Sequence, residues 1–239
     1  MKAAITIWKR YMRKFFRGRM ELAAALFFPL TLMAFFGVMM RRFLAGSDLL
    51  GGADYLVYIT PGIIALTALT SAMLAGTNVL NDRIRGVIQE YLVAPIPRAS
   101  IAGAVMLSGV TRGFVQAVII VVVGALLGAV PLMNPGGLLI AVLGFTLFCA
   151  GFTGLAVAGA ARAPSMEAYH GLIMLLNIPL LFLSNALYPL EAVPVWLRLA
   201  AWANPTTYAI NSMRQVFPPA AGWPPLLDLV ILGLFAGLG

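Results

Sequence analysis

Asn81-Asp82-Arg83-Ile84-Arg85-Gly86-Val87-Ile88-Gln89-Glu90-Tyr91-Leu92-Val93-Ala94-Pro95-Ile96-Pro97-Arg98-Ala99-Ser100 is a charged island between two long apolar runs. Only 10% of the chain is charged, yet Asp82, Arg83, Arg85, Glu90 and Arg98 crowd together here. The chain as a whole is 62% hydrophobic, well above the roughly half that is usual for soluble domains. Mean hydropathy is +0.96. Apolar runs of about 20 residues recur, each long enough to cross a bilayer core about 30 Å thick. None alternates as a barrel strand would. The pattern predicts an all-α integral membrane protein, with the island kept in water and shown to a partner.

Outward from the island, residues 4–19 carry Trp8, Tyr11, Met12, Phe15 and Phe16 at helical spacing, with Arg10, Arg13, Lys14 and Arg17 on the other side. That is a helix of the membrane interface, either a plain anchor or a docking element as well. A first span is expected over 22–40, bent at Pro29, and a second over 55–80. The second holds Thr60, Thr67, Thr70, Ser71, Thr77 and Asn78, which serve either helix packing or a polar path; Thr67, Thr70 and Asn78 are the candidates for lining one. Past the island, 113–130 makes a third span, with Arg112 at the water interface and 101–111 as a helical extension. The fourth and fifth follow over 136–161 and 168–187.

Residues 188–217 read as neither span nor ordinary loop. Two short amphipathic pieces divided by Asn204-Pro205 dip into the membrane or lie on it, with Trp196, Trp202, Tyr208 and Trp223 at the aromatic belt. A sixth apolar run begins near Pro225 and ends at Gly239, short of a full crossing, so the last turns of the sixth span are expected to be missing. Placing the N-terminus, the island and the Arg162 loop inside puts twelve Lys and Arg in the cytoplasm, against Arg41, Arg42, Arg198 and Arg214 outside. The expected topology is six spans with both ends in. The net charge of +8 is this inside bias and not a nucleic-acid footprint.

Catalytic signatures are sparse. The only histidine, His170, shares a helix face with Glu167, which keeps an intramembrane enzyme as a rival reading. Two such residues make a poor metal site. There is no phosphate-binding loop of the G-x-x-x-x-G-K-[ST] kind, so nucleotide energy, if used, comes from another chain. Mid-span acids, the mark of proton-coupled transport, are absent apart from Asp228 near the end of the last run. The lone Cys149 excludes an internal disulfide.

Several motifs, in order, resemble the permease subunit of ABC-2 type transporters. They are the basic N-terminal helix, Tyr58-Ile59-Thr60-Pro61-Gly62, Arg85-Gly86-Val87-Ile88-Gln89-Glu90-Tyr91-Leu92, and Ala94-Pro95-Ile96-Pro97-Arg98. The C-terminal third adds Phe182-Leu183-Ser184-Asn185-Ala186-Leu187-Tyr188-Pro189-Leu190-Glu191, Pro194-x-Trp196-Leu197 and Asn204-Pro205-Thr206-Thr207-Tyr208, with Asn185 where a glycine is usual. The resemblance implies one transmembrane domain over 1–239, in a cytoplasmic membrane and exporting a drug-like, lipid or glycan cargo. Its partners would be a second permease copy, identical or paralogous, and separate ATPase subunits that hold the ATP and Mg; a non-transporting membrane anchor for an ATPase is the second rival reading. This chain would bind no cofactor.

It further implies that 81–100 is a coupling loop, with Arg83, Arg85, Gly86, Glu90, Pro95 and Arg98 against the ATPase. The interfacial helix 1–19, with Trp8, Arg10, Tyr11, Arg13, Phe15 and Arg17, would flank it. The segment 188–217 would be an outer re-entrant gate, with Tyr188, Pro189, Glu191, Trp196, Asn204, Pro205 and Tyr208.

Overall fold

A computed structural model describes residues 2–43, 54–93, 97–129, 134–216 and 224–238, and among these every regular element is helical. The order is α1 (Lys2–Arg17), α2 (Arg19–Phe43), α3 (Tyr55–Ile84), α4 (Val87–Val93), α5 (Arg98–Leu126), α6 (Pro135–Arg162) and α7 (Met166–Phe182). A single 3₁₀ turn (Leu190–Ala192) then leads to α8 (Val195–Ala203), α9 (Pro205–Arg214) and α10 (Pro225–Leu238). Helices α3, α5 and α6 are long and apolar enough to cross a membrane; 25–37, α7 and α10 are shorter apolar helices.

Local chemistry sets the starts. Asp54 accepts from the Leu56 amide, Asn134 from Gly136, Ser165 from Ala168 and Asn204 from Thr206, so each occupies an N-cap. Pro135 and Pro205 stand in the first turns of α6 and α9, where a missing N–H costs nothing.

Helix α3 is the axis of the bundle. Of its 30 residues, 22 are buried, as befits a helix apolar on every side. It packs against α2, α5, α6, α7 and α9. Gly76 is where it comes closest to its neighbours: an added Cβ would lie 2.6 Å from the Ala156 carbonyl oxygen and would collide with the Tyr169 hydroxyl. That hydroxyl reaches the carbonyls of both Met73 (2.9 Å) and Ala156 (3.0 Å), tying α3, α6 and α7 at one point. On the far side of α6, α10 lies against both α6 and α9.

Helix α5 runs unbroken from Arg98 to Leu126, with 101–111 as the expected helical extension of the third span. Three sequence expectations change. Arg112 does not face water: it is 2% exposed, donates to the Tyr11 carbonyl (3.2 Å) and lies 5.1 Å over the Phe15 ring. Helix α7 stops at Phe182 and not at 187. Leu183 still bonds back to the Pro179 carbonyl, after which Ser184 and Asn185 turn the chain aside. Tyr208, expected in an aromatic belt, is buried and donates to the Trp202 carbonyl, while Trp196 and Trp202 are exposed. Pro95 and Trp223, and the side chains of Arg41, Arg42 and Arg98, lie outside what is described.

Candidate functional site

The charged island resolves into the last turn of α3, a two-residue turn at Arg85–Gly86, and α4. Gly86 has φ +77°, the left-handed region where a side chain is strained, and an added Cβ there would meet open space. The turn is thus specified by backbone and not by packing. Arg83, Arg85 and Glu90 are exposed. Arg83, however, is engaged: its guanidinium donates to the Ala161 carbonyl at 2.6 Å, with Ala160 and Ala163 at 3.5 Å. A cation on the unsatisfied carbonyls of a helix C-terminus is favourable both as hydrogen bonding and against the helix dipole. Arg83 therefore clamps α3 to the end of α6, which leaves Arg85 and Glu90 as the charges turned outward.

Helix α1 closes over this region. Ile7, Tyr11, Met12 and Phe15, its apolar face, are each 4–5% exposed. They bury against α3 and α5, with Ala75, Ala104 and Val105 beneath Ile7 and Tyr11. The amphipathic face read from the sequence as lipid-facing is thus largely spent on the protein itself. Trp8 is half-buried and donates to Thr111 (3.2 Å). Arg10, Arg13 and Arg17 stay exposed on the opposite side.

One carboxylate joins these pieces. Asp82, 7% exposed in the last turn of α3, accepts from the Tyr11 hydroxyl (2.8 Å) and from Arg10 (3.0 Å). Arg10 also donates to the Tyr91 hydroxyl of α4. Burial, reinforced by the carboxylate, pushes the Tyr11 phenol well above its ordinary pKa, so it remains a donor. The buried Tyr11–Asp82 bond carries more than the Arg10–Asp82 pair, because the Arg10 side chain is 47% exposed and screened by water. Lys14 adds a bond to Asn78 (2.8 Å). Asp82 and Tyr91 carry no site signature of their own in the sequence. Their only signal is a polar pair flanking the Arg83–Glu90 charges, and nothing local shows that the partner lies 71 positions away.

The opposite end is a second polar assembly. Asn204 donates to the carbonyls of Leu180 and Leu183 (2.8 Å each) while capping α9. Arg214, 8% exposed, donates to the Asn185 carbonyl (2.7 Å) and stacks 4.1 Å from the Tyr58 ring. Tyr55 donates to the Leu187 carbonyl (3.1 Å) and Tyr188 to that of Phe182. Glu191 is exposed, and Pro189 and Pro205 are half-buried. The start of α3 and the 183–214 segment are therefore fastened side chain to backbone. Asn185, standing where glycine is usual in the resemblance, donates its amide to Asn211 (2.6 Å) and is part of this fastening.

Thr67 and Thr70 bond back to the carbonyls of Ile63 and Leu66, and Asn78 to Leu74. Thr67 and Asn78 are buried and Thr70 half-buried. Glu167 and His170 are both exposed at the start of α7, flanking the buried Tyr169, and no metal-binding cluster occurs among the described residues.

A membrane protein with a charged hub joining three helices at one end is the class these features define. The family model for the ABC-2 type transporter matches residues 2–217. A transport permease, ycf38, of Pyropia yezoensis is 31% identical over 222 residues, covering 91% of this chain and 73% of the relative. Its counterpart from Porphyra purpurea is 33% identical over 165 residues, 69% of this chain but only 56% of that relative. The daunorubicin resistance ABC transporter permease protein DrrB1 of Streptomyces coeruleorubidus is 25% identical over 223 residues, 93% of this chain and 77% of the relative. The chain belongs to the ABC-2 type transporter family.

Proposed function

We propose that this chain is the permease subunit of an ATP-driven exporter, one of two membrane subunits served by separate ATPase subunits. ATP and Mg reside on those partners. The chain sits in a cell membrane with six crossings, the short apolar helices completing the set begun by α3, α5 and α6. Its N-terminus and 81–100 face the cytoplasm. Residues 188–217 form the outer gate, and 1–239 acts as one domain. Cargo is drug-like, lipid or glycan, a range consistent with a relative named for daunorubicin resistance.

The observation that carries this reading is the geometry at 81–93. Arg85 and Glu90 project from a turn and a short helix that are held to the bundle by Arg83 on α6 and by Tyr91 through Arg10 to Asp82. A partner pressing on α4 therefore moves α1, α3 and α6 together. Such a rigid, doubly anchored projection is what a motor protein needs as a handle. Nothing favours the enzyme reading: Glu167 and His170 lie on the surface of the chain and join no larger cluster of titratable side chains among the described residues.

Charge reversal tests the handle. Arg85→Glu and Glu90→Lys alter side chains that project outward, so insertion and thermal stability are expected to stay at wild-type values. Co-purification of the ATPase should weaken about tenfold for each, the scale of a lost interfacial charge pair. Transport that survives in both variants together with unchanged ATPase binding means 81–93 is not the coupling element.

A further inference from the structure

Helix α10 is apolar except for Asp228 in its first turn. The side chain is 0% exposed, and neither carboxylate oxygen has a hydrogen-bond partner. No cation is paired with it among the described residues. α10 packs chiefly on α6 and α9. From α9, Tyr208 and the Asn211 amide face the carboxyl, while Arg214 is turned away onto Tyr58 and the Asn185 carbonyl. The titratable or charged side chains of α6 are Cys149, which abuts Gly113 of α5, and Arg162 at its far, exposed end. The start of a helix favours negative charge, but no backbone N–H reaches these oxygens.

An ionised carboxylate without a cation, facing a single side-chain amide in an apolar interior, is among the costliest arrangements a fold can hold. A protonated carboxyl is neutral and presents one donor and one acceptor. Asn211 is the complement: its Nδ2 has no partner, and its Oδ1, which takes the Asn185 amide, has a second lone pair to offer. We infer that Asp228 is a proton-binding site inside the bundle, carrying its proton while α10 is seated on α9 and losing it to water when that seam opens. The protonated state makes the α9–α10 packing, and with it the outer segment fastened through Asn185, sensitive to pH.

The sign follows from linkage. The seated form holds a proton that the unfolded chain, with an ordinary aspartate near pKa 3.9, has already released at neutral pH. The folded state thus binds more protons, and stability falls as pH rises until the seated group itself ionises. The test uses the full chain in lipid nanodiscs. Infrared spectra near pH 7 should show a protonated-carboxyl C=O band that shifts in D₂O, is missing in Asp228→Asn, and moves in Asp228→Glu. The thermal midpoint of the wild type should drop by about 2–4 °C per pH unit between about pH 5 and pH 7, a slope that Asp228→Asn removes. A wild-type spectrum without the band at neutral pH overturns the inference, as does an unchanged slope in the Asn variant. Should the Asn variant not fold, the wild-type and Glu spectra decide the matter alone.

Discussion

Asp82→Ala is expected to release α1 from the bundle and to break the link between α4 and the rest of the chain. The substitution leaves the buried Tyr11 hydroxyl without its acceptor and Arg10 without its counter-charge. A lost hydrogen bond to a charged group costs about 1.5–3 kcal/mol when its partner stays buried. The half-exposed Arg10 pair adds at most about 1 kcal/mol. The readout is limited trypsin digestion of the reconstituted protein. Arg10, Arg13 and Arg17 should become cleaved many times faster than in the wild type, while sites elsewhere are unaffected. Asp82→Asn keeps an acceptor for Tyr11 and should lie between the two. Equal cleavage rates in wild type and Asp82→Ala would show that the apolar face of α1 holds the helix without the carboxylate.

Gly76→Ala is expected to have the largest effect on stability. Its methyl group enters a space occupied by the Tyr169 hydroxyl and by the Ala156 carbonyl, a backbone atom of α6 that cannot rotate away. Overpacking a close junction costs about 1–3 kcal/mol, and losing the tyrosine bonds adds about 1 kcal/mol. Tyr169→Phe alone should cost only about 1 kcal/mol. Because the two sites touch, the double variant should be less unstable than the sum of the singles: the phenyl ring leaves room at the hydroxyl while the carbonyl clash persists. Thermal unfolding of the four proteins measures this. Strict additivity would mean that the junction relaxes freely and that α3, α6 and α7 are not locked there.

Much of this architecture was legible because its causes are local. The apolar runs, the caps at Asp54, Asn134, Ser165 and Asn204, and the Asn204-Pro205 division between α8 and α9 can all be read within a few residues. The site was only half legible. Arg85 and Glu90 are exposed, as the charges of the island lead one to expect, while Gly86 is half-buried in the turn. Arg83, in contrast, is engaged with α6, because helix ends expose carbonyls whose position depends on the tertiary packing. What covers α1 is illegible for a similar reason. Periodicity shows that one face is apolar, but not whether lipid or α3 and α5 will cover it. The length of 113–130 puts Arg112 at a span's end, but once α1 lies across α5 the Tyr11 carbonyl and the Phe15 ring give its guanidinium a buried seat. Asp82, at the centre of the hub, answers to partners in another helix far earlier in the chain, and no spacing rule reaches that distance.

The most direct test of the coupling claim places a reactive thiol on α4. The single native cysteine, Cys149, is buried and 0% exposed, so Glu90→Cys introduces the one accessible thiol among the described residues. In membranes holding this chain and the proposed ATPase partner, a short thiol-to-amine cross-linker at this position should join the two proteins. The yield should change when ATP is trapped on the partner. A cross-link that forms equally well from a thiol at Glu191, in the proposed outer gate, or none at all from Glu90→Cys, would contradict the assignment of 81–93 as the handle.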